Sequence, residues 1–284
     1  MSQTKIAING FGRIGRNAFK IAFERSDLEI VAINDLTDTK TLAYLLKNDS
    51  NYGTYHHEVA SDDNGIVVDG KHIKVLAERD PVTLPWGELG VQLVIESTGF
   101  FTEKEGASKH IEAGAKRVVI SGPTKSEGVD TIVLGANDDK IPHSTEVVSN
   151  ASCTTNSLAA VMAILDAEFG VEKSLLTTVH SYTASQAIQD APKKDLREGR
   201  NGAENIVPTT TGAAIAVTKT LPQLEGKFDG LSIRVPTPVV SISDVTALLS
   251  RDVTVEEINN AFRKASQEPY YQGILAVSDE PLVS

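Results

Sequence analysis

The stretch KIAINGFGRIGRNAFKIAFER, residues 5–25, decides the fold. Its first eight residues, KIAINGFG, read as a strand and its last thirteen as the helix after it. Across their junction runs Gly10-Phe11-Gly12-Arg13-Ile14-Gly15, a GxGxxG turn. Glycines at these positions permit a tight turn and a close backbone approach, so that a pyrophosphate can rest on the helix N-terminus. A ligand-free strand-to-helix turn fits the same letters. Asp35 ends the next strand-like run, LEIVAIND, about 20 residues after Gly15, the spacing at which a carboxylate meets the adenosine ribose of a bound dinucleotide. The charge of Asp35 disfavours the extra phosphate of NADP, and Leu36-Thr37 supplies no arginine to offset it, so NAD is the expected cofactor.

Outward from this turn, residues 5–150 alternate short apolar runs with helical patterns, the signature of βαβ units on a parallel sheet. The later strands expected are VQLVIESTG, KRVVISG, TIVLGAND and TEVVSN. In GIVVDGKHIKVL, Asp69-Gly70 between two apolar runs signals a hairpin, an insertion best tolerated at a sheet edge. After Ala151 the reading changes. CTTNSLAAVMAILDAEFG is a helix with Leu158, Val161, Met162 and Leu165 on one face, ended near Gly170. KSLLTTVH is a strand, and residues 181–208 form a long polar stretch with no period, uncommon unless functional. A helix (TGAAIAVTKTLP), two strands (GLSIRVP, VVSISDVTALLS), a helix opened by a Thr254/Glu257 capping box and a last strand in GILAVSDEPLVS follow.

The whole is α/β, and its 284 residues exceed one usual core, so two domains are expected, 1–150 and 151–284. Hydrophobic residues at 40% and charged residues at 23% are globular values. No apolar run approaches the roughly 20 residues of a membrane span, and the start lacks a signal-type pattern, so a cytoplasmic protein is expected. A net charge of -11 argues against nucleic acid and anionic membranes as partners.

The one cysteine, Cys153, cannot form an intrachain disulfide. By count alone it reads as core filler or as a nucleophile. It lies in Ser149-Asn150-Ala151-Ser152-Cys153-Thr154-Thr155-Asn156, where a strand hands over to a helix, and helix N-termini favour the thiolate. Its polar neighbours favour the nucleophile. A thiolate needs a partner for the proton, and His180, ending a strand and opening the long loop, is the best candidate. A buried structural histidine is the competing reading. His56, His57, His72, His110 and His143, in polar connections, beside the hairpin, on a charged helix and in a turn, read as solvated surface.

NGFGRIGR, ASCTTN, TTVHSYT, IVPTTTGAA and RVPTP, in this order and at these separations, resemble the phosphorylating, NAD-dependent glyceraldehyde-3-phosphate dehydrogenases along the whole chain. The resemblance implies an N-terminal Rossmann-like dinucleotide-binding domain and an α+β catalytic domain with a mixed sheet. It implies that Cys153 attacks the aldehyde, His180 acts as base, and inorganic phosphate cleaves the resulting thioester. Arg13 and Ile14 would meet the NAD pyrophosphate beside Gly10, Gly12 and Gly15. Asp35 would meet the ribose, Arg79 the adenine side and Ser121 the nicotinamide half. Ser152, Thr154, Thr183, Thr211, Gly212 and Arg234 would hold the substrate phosphate and inorganic phosphate, hydroxyls and amides giving direction and arginine a bidentate fork. Read singly, Ser152, Thr154 and Thr211 are equally helix caps and Arg234 a surface charge. A homotetramer is implied as well.

Three departures bear on function. Ser157 stands where many members carry a second cysteine, without consequence for the nucleophile. Glu198 in LREGR replaces an arginine found in some bacterial members, which weakens anion affinity, while Arg197 and Arg200 remain. Ala191-Pro192 stands where many NAD-specific members have Leu-Pro, which loosens the exclusion of NADP. The resemblance also implies further strands and a helix beyond Ser284, so the chain reads as C-terminally incomplete, with an exposed sheet edge. The runner-up readings are erythrose-4-phosphate dehydrogenase and an inactive NAD-binding fragment.

Overall fold

In a computed structural model, which describes residues 3–142 and 144–283, the chain divides into two compact units. Met1–Thr131 and Ile141–Ala151 form the first, Ile132–Lys140 and Ser152–Ser284 the second. His143 lies outside the described residues.

The first unit begins β1 (Thr4–Asn9), α1 (Arg13–Phe23), β2 (Leu28–Asn34) and α2 (Thr39–Lys47). A short ribbon, β3 (Asn48–Asp49) and β4 (Gly53–Thr54), leads to β5 (Val59–Asp62), β6 (Gly65–Val68) and β7 (Lys71–Leu76). Then come α3 (Trp86–Leu89), β8 (Leu93–Glu96), α4 (Lys104–Glu112), β9 (Arg117–Ile120), β10 (Asp130–Thr131) and β11 (Val147–Ser149). One nine-stranded sheet has the order β10-β11-β9-β8-β1-β2-β7-β6-β5. All pairings from β10 to β7 are parallel, and β6 and β5 add antiparallel at the edge. The Asp69-Gly70 hairpin is therefore present, with φ of 46° and 78° at the two turn residues, as a tight hairpin of this twist requires. The chain leaves β1 toward β2 and later returns to its other side with β8, so the strand order reverses there, where open parallel sheets bind ligands beyond the strand C-termini. Two apolar clusters hold the unit, one around Ile6, Ile8, Phe19, Ile33 and Leu46, the other around Trp86, Val94, Val118 and Ile120.

The second unit contains α5 (Cys153–Phe169), β12 (Val171–Ser181), β13 (Val207–Thr209), α6 (Ala213–Thr220), β14 (Phe228–Val235), β15 (Ser241–Leu249) and α7 (Val255–Ala265). Its sheet, β13-β14-β12-β15, is mixed: β12 and β14 run parallel, β13 and β15 antiparallel to their neighbours. Along β12 the buried residues Ser174, Leu176, Thr178 and His180 alternate with less buried ones, so His180 points to the inner face. The Thr254/Glu257 capping box closes as expected.

Three sequence expectations are corrected. TIVLGAND is a strand only at its first residue, because residues 132–140 leave the sheet for turns. GILAVSDEPLVS forms no strand among the described residues: it pairs with no neighbouring strand. Helix α5 is buried on more than one face, since Ala159, Ala160 and Ile164 join Leu158, Met162 and Leu165 in the core.

Candidate active site

In the first unit, β1, β2 and β8 end in register at Asn9, Asn34 and Glu96. All three are polar and buried, and each buried polar group needs a partner. Asn34 donates to Asn9 Oδ1 at 2.7 Å and Asn9 to Glu96 Oε2 at 2.5 Å. His110 stands 3.0 Å from the same Glu96 oxygen, while Trp86 Nε1 donates to His110 Nδ1 at 2.9 Å. The indole thus occupies one ring nitrogen, and His110 must carry its proton on Nε2, donated to Glu96. Sequence reading placed His110 on the surface; it is fully buried, because α4 turns that side chain into the sheet. The signal it missed is a polar residue ending each of three strands. The other Glu96 oxygen receives the Thr98 amide and hydroxyl, which fixes the turn beside the glycines.

Above this row lies the glycine turn. Gly10 has a φ of 89°, and a Cβ there would stand 2.7 Å from Thr98 N. A Cβ on Gly15 would stand 2.1 Å from Gly10 O, so this glycine permits the close helix-to-strand packing. Gly12, the N-cap of α1, differs: a Cβ there meets nothing within 4 Å, and the cap makes no side-chain hydrogen bond. An open helix N-terminus of this kind suits an anion. Asp35 is held by the Phe11 amide at 2.7 Å and the Thr37 amide at 2.9 Å. Ile14 is exposed, and Arg13 pairs with Asp49 at 3.3 Å and lies over the Tyr52 ring. Arg79 is exposed in the connection after β7, and Ser121 follows β9 with its amide on Glu96 O. These residues share the C-terminal edge of one sheet, and the space at Gly12 with the fixed carboxylate of Asp35 fits a dinucleotide.

In the second unit, Ser152 caps α5, its Oγ accepting from Thr155 N at 3.1 Å, and this sets Cys153 at the first helical position. Ala151 before it has a φ of 59°, a left-handed backbone uncommon for alanine. The exposed Cys153 Sγ lies 3.3 Å from His180 Nε2. That contact, more than any other, lowers the thiol below its ordinary value, with the amide and hydroxyl of Thr154 adding to it and burial opposing. His180 is raised, chiefly by Cys153 against burial, further by the Ser181 carbonyl, and Arg234 works the other way. Both shifts favour a thiolate beside an imidazolium.

Arg234 arrives because β12 and β14 pair in register at His180 and Arg234. Its Nη1 is 2.6 Å from His180 Nδ1, which is also 2.7 Å from Ser181 O. The carbonyl requires Nδ1–H and the guanidinium a lone pair, so this nitrogen serves one partner at a time. Burial lowers Arg234, while the charges of Cys153 and Glu198 oppose that. Glu198 accepts from Thr209 Oγ1 at 3.0 Å. Arg197 and Arg200 instead form surface pairs with Asp195 and Asp190. The structure therefore gathers Cys153, Thr154, His180 and Arg234. Thr183 hydrogen-bonds within its own loop to Gln186, and Thr211 accepts from Ala213 N at the start of α6. Gly212 caps α6 with open space where a Cβ would be.

Two family models match: glyceraldehyde 3-phosphate dehydrogenase, NAD binding domain, over residues 4–104, and glyceraldehyde 3-phosphate dehydrogenase, C-terminal domain, over residues 152–284. Glyceraldehyde-3-phosphate dehydrogenase of Geobacillus stearothermophilus is 57% identical over 281 residues, covering 99% of this chain and 83% of that protein. The Borreliella burgdorferi enzyme of the same name is 56% identical over 286 residues, covering 99% and 85%. Glyceraldehyde-3-phosphate dehydrogenase B, chloroplastic, of Pisum sativum is 50% identical over 289 residues, covering all of this chain and 64% of that protein.

Proposed function

The chain belongs to the glyceraldehyde-3-phosphate dehydrogenase family, and from that premise we propose that it oxidises glyceraldehyde 3-phosphate with NAD and inorganic phosphate in glycolysis, giving 1,3-bisphosphoglycerate and NADH. The observation that carries this reading is the Cys153–His180 contact at a helix N-terminus. The thiolate of Cys153 adds to the aldehyde carbon, and the new oxyanion takes the proton from His180 Nε2. As the thiohemiacetal is oxidised to the thioester, His180 takes that proton back. When bound, NAD supplies the hydride acceptor for this oxidation. A phosphate oxygen then attacks the thioester carbonyl, and the carbon–sulfur bond breaks to return the thiolate.

Gly10, Gly12, Arg13, Ile14, Gly15, Asp35, Arg79 and Ser121 bind NAD in this scheme, within a cofactor domain of residues 1–150. Ser152, Thr154, Thr183, Thr211, Gly212 and Arg234 bind the two anions, within a catalytic domain of residues 151–284. Arg234 supports this role because its guanidinium is half-buried beside the nucleophile, where an anion gains most from a charged donor. The assembly is a homotetramer. Support comes from the outer face of the second unit's sheet, where Leu175, Leu231 and Ile242 are 63%, 48% and 66% exposed, an apolar face suited to a second copy. Sedimentation giving only a single-chain mass would contradict it.

No helix among the described residues is long and apolar enough to cross a membrane. The cytoplasm is the proposed location because a nucleophilic thiol needs a reducing compartment. The substrate assignment is tested by comparing NADH formation from glyceraldehyde 3-phosphate and erythrose 4-phosphate at equal concentrations. Faster turnover of the three-carbon aldehyde is expected, and preference for the four-carbon one overturns the assignment.

A further inference from the structure

Far along the first unit from its glycine turn, a second cluster of ligating atoms serves no step of the reaction. Glu24 is the C-cap of α1, and His56 and His57 follow one another between β4 and β5. Nε2 of His56 is 3.3 Å and Nε2 of His57 is 3.5 Å from the same oxygen, Glu24 Oε1. One ligand atom from each residue lies within 4.8 Å of the others.

The protein's own hydrogen bonds leave one atom of this cluster unpartnered. His57 Nδ1 stands 2.5 Å from Asp69 Oδ2 and donates to it. A neutral ring whose proton sits on Nδ1 presents a bare lone pair at Nε2. That nitrogen is buried and makes no hydrogen bond, although a carboxylate oxygen faces it. With Nδ1 as the donor, the Nε2 lone pair and the Glu24 oxygen face each other, an arrangement that a positive charge between them stabilises. A proton on Nε2 supplies that charge, and so does a transition-metal ion bound by both atoms. Tetrahedral donors about 2.0–2.1 Å from a zinc ion stand about 3.3–3.4 Å from each other. The two spacings to Glu24 match that edge length.

We propose that Glu24, His56 and His57 bind one divalent transition-metal ion of the zinc or nickel class. Two imidazoles and one carboxylate favour such ions over magnesium and calcium, which prefer all-oxygen shells. Asp69 is the outer partner. A carboxylate on the remote ring nitrogen fixes the tautomer and strengthens the ligand, and Asp69 is itself held by the Glu58 amide at 2.8 Å. His56 is 70% exposed on its side chain, which gives an ion its entry path and leaves room for water in the remaining position. The bound ion ties the end of α1 to the segment before β5 and, through Asp69, to the β6–β7 turn.

The test uses the untagged full chain carrying Cys153→Ser, because a thiolate is itself a zinc ligand. Zinc chloride is titrated calorimetrically, with magnesium chloride as control, into this protein and into versions that also carry His56→Ala, His56→Ala with His57→Ala, Glu24→Gln, or Asp69→Asn. Circular dichroism and NAD affinity report that each is folded. His56 is exposed enough that its single replacement leaves the fold intact. The expected result is one zinc per chain, no magnesium response, and affinity about 10-fold to 100-fold weaker in Asp69→Asn. His56→Ala should lose at least as much, and the double replacement should abolish binding. Undiminished zinc binding by folded His56→Ala and double-histidine proteins, or no saturable one-site binding to begin with, overturns the proposal.

Discussion

The chemistry turns on one pair of side chains, Cys153 and His180, and on what surrounds their shared proton. The histidine lowers the thiol and the thiol raises the histidine, so the pH profile of Cys153 alkylation should have its midpoint below that of an ordinary thiol. The thiolate fraction rises with pH, and a lowered thiol moves the curve to lower pH. His180→Asn removes the largest cause of the lowering, so its curve should move to higher pH; an unchanged midpoint would refute the pairing. Glu198 gives a second prediction at this scale. Its carboxylate acts electrostatically on the guanidinium beside the nucleophile, and repels an anion drawn to Arg234. Glu198→Gln should lower the KM for inorganic phosphate several-fold while leaving the KM for NAD unchanged, measured in initial-rate kinetics. Both residues stood out in the sequence, Cys153 by its polar helix-start setting and Glu198 by a departure from the family pattern. The Arg234 contact with His180 did not, because it depends on strand register, which letters alone do not fix.

At the scale of elements, the glycine turn separates two roles that the motif merges. Gly15→Ala forces a Cβ toward a backbone oxygen 2.1 Å away, so it should lower thermal stability as well as NAD affinity. Gly12→Ala meets nothing in the protein, so it should unfold at the ordinary temperature yet bind NAD at least tenfold more weakly. Equal NAD affinity in Gly12→Ala would mean that the space is not ligand space. Beneath the turn, His110→Ala would remove one donor from the buried Glu96 carboxylate and the acceptor of the Trp86 indole nitrogen. A loss of about 1–3 kcal/mol is expected for the hydrogen bonds left unmade, read by urea unfolding of the first unit. The parallel sheet, its edge hairpin and the capping box were legible because apolar runs, Asp69-Gly70 and Thr254/Glu257 are local signals. His110 was not, since a single histidine among charged residues looks solvated until the strands beneath it are placed. The last segment differs for the complementary reason: GILAVSDEPLVS has strand letters but, among the described residues, no strand beside it to pair with.

For the whole molecule, ligand binding and folding are linked. NAD bound at 100 times its dissociation constant should stabilise the chain by about 2.7 kcal/mol, and this gain should vanish with the affinity in Gly12→Ala. Catalysis is the more direct reading of the whole chain, because it demands cofactor, nucleophile, base and anion sites at once. The deciding measurement follows NADH absorbance after glyceraldehyde 3-phosphate is added to the full 284-residue chain with NAD, with and without inorganic phosphate, beside a Cys153→Ser control. Sustained NADH formation that requires phosphate and disappears in the control is the predicted result. A folded, NAD-binding chain that forms no NADH, or one whose turnover survives Cys153→Ser, would contradict the account.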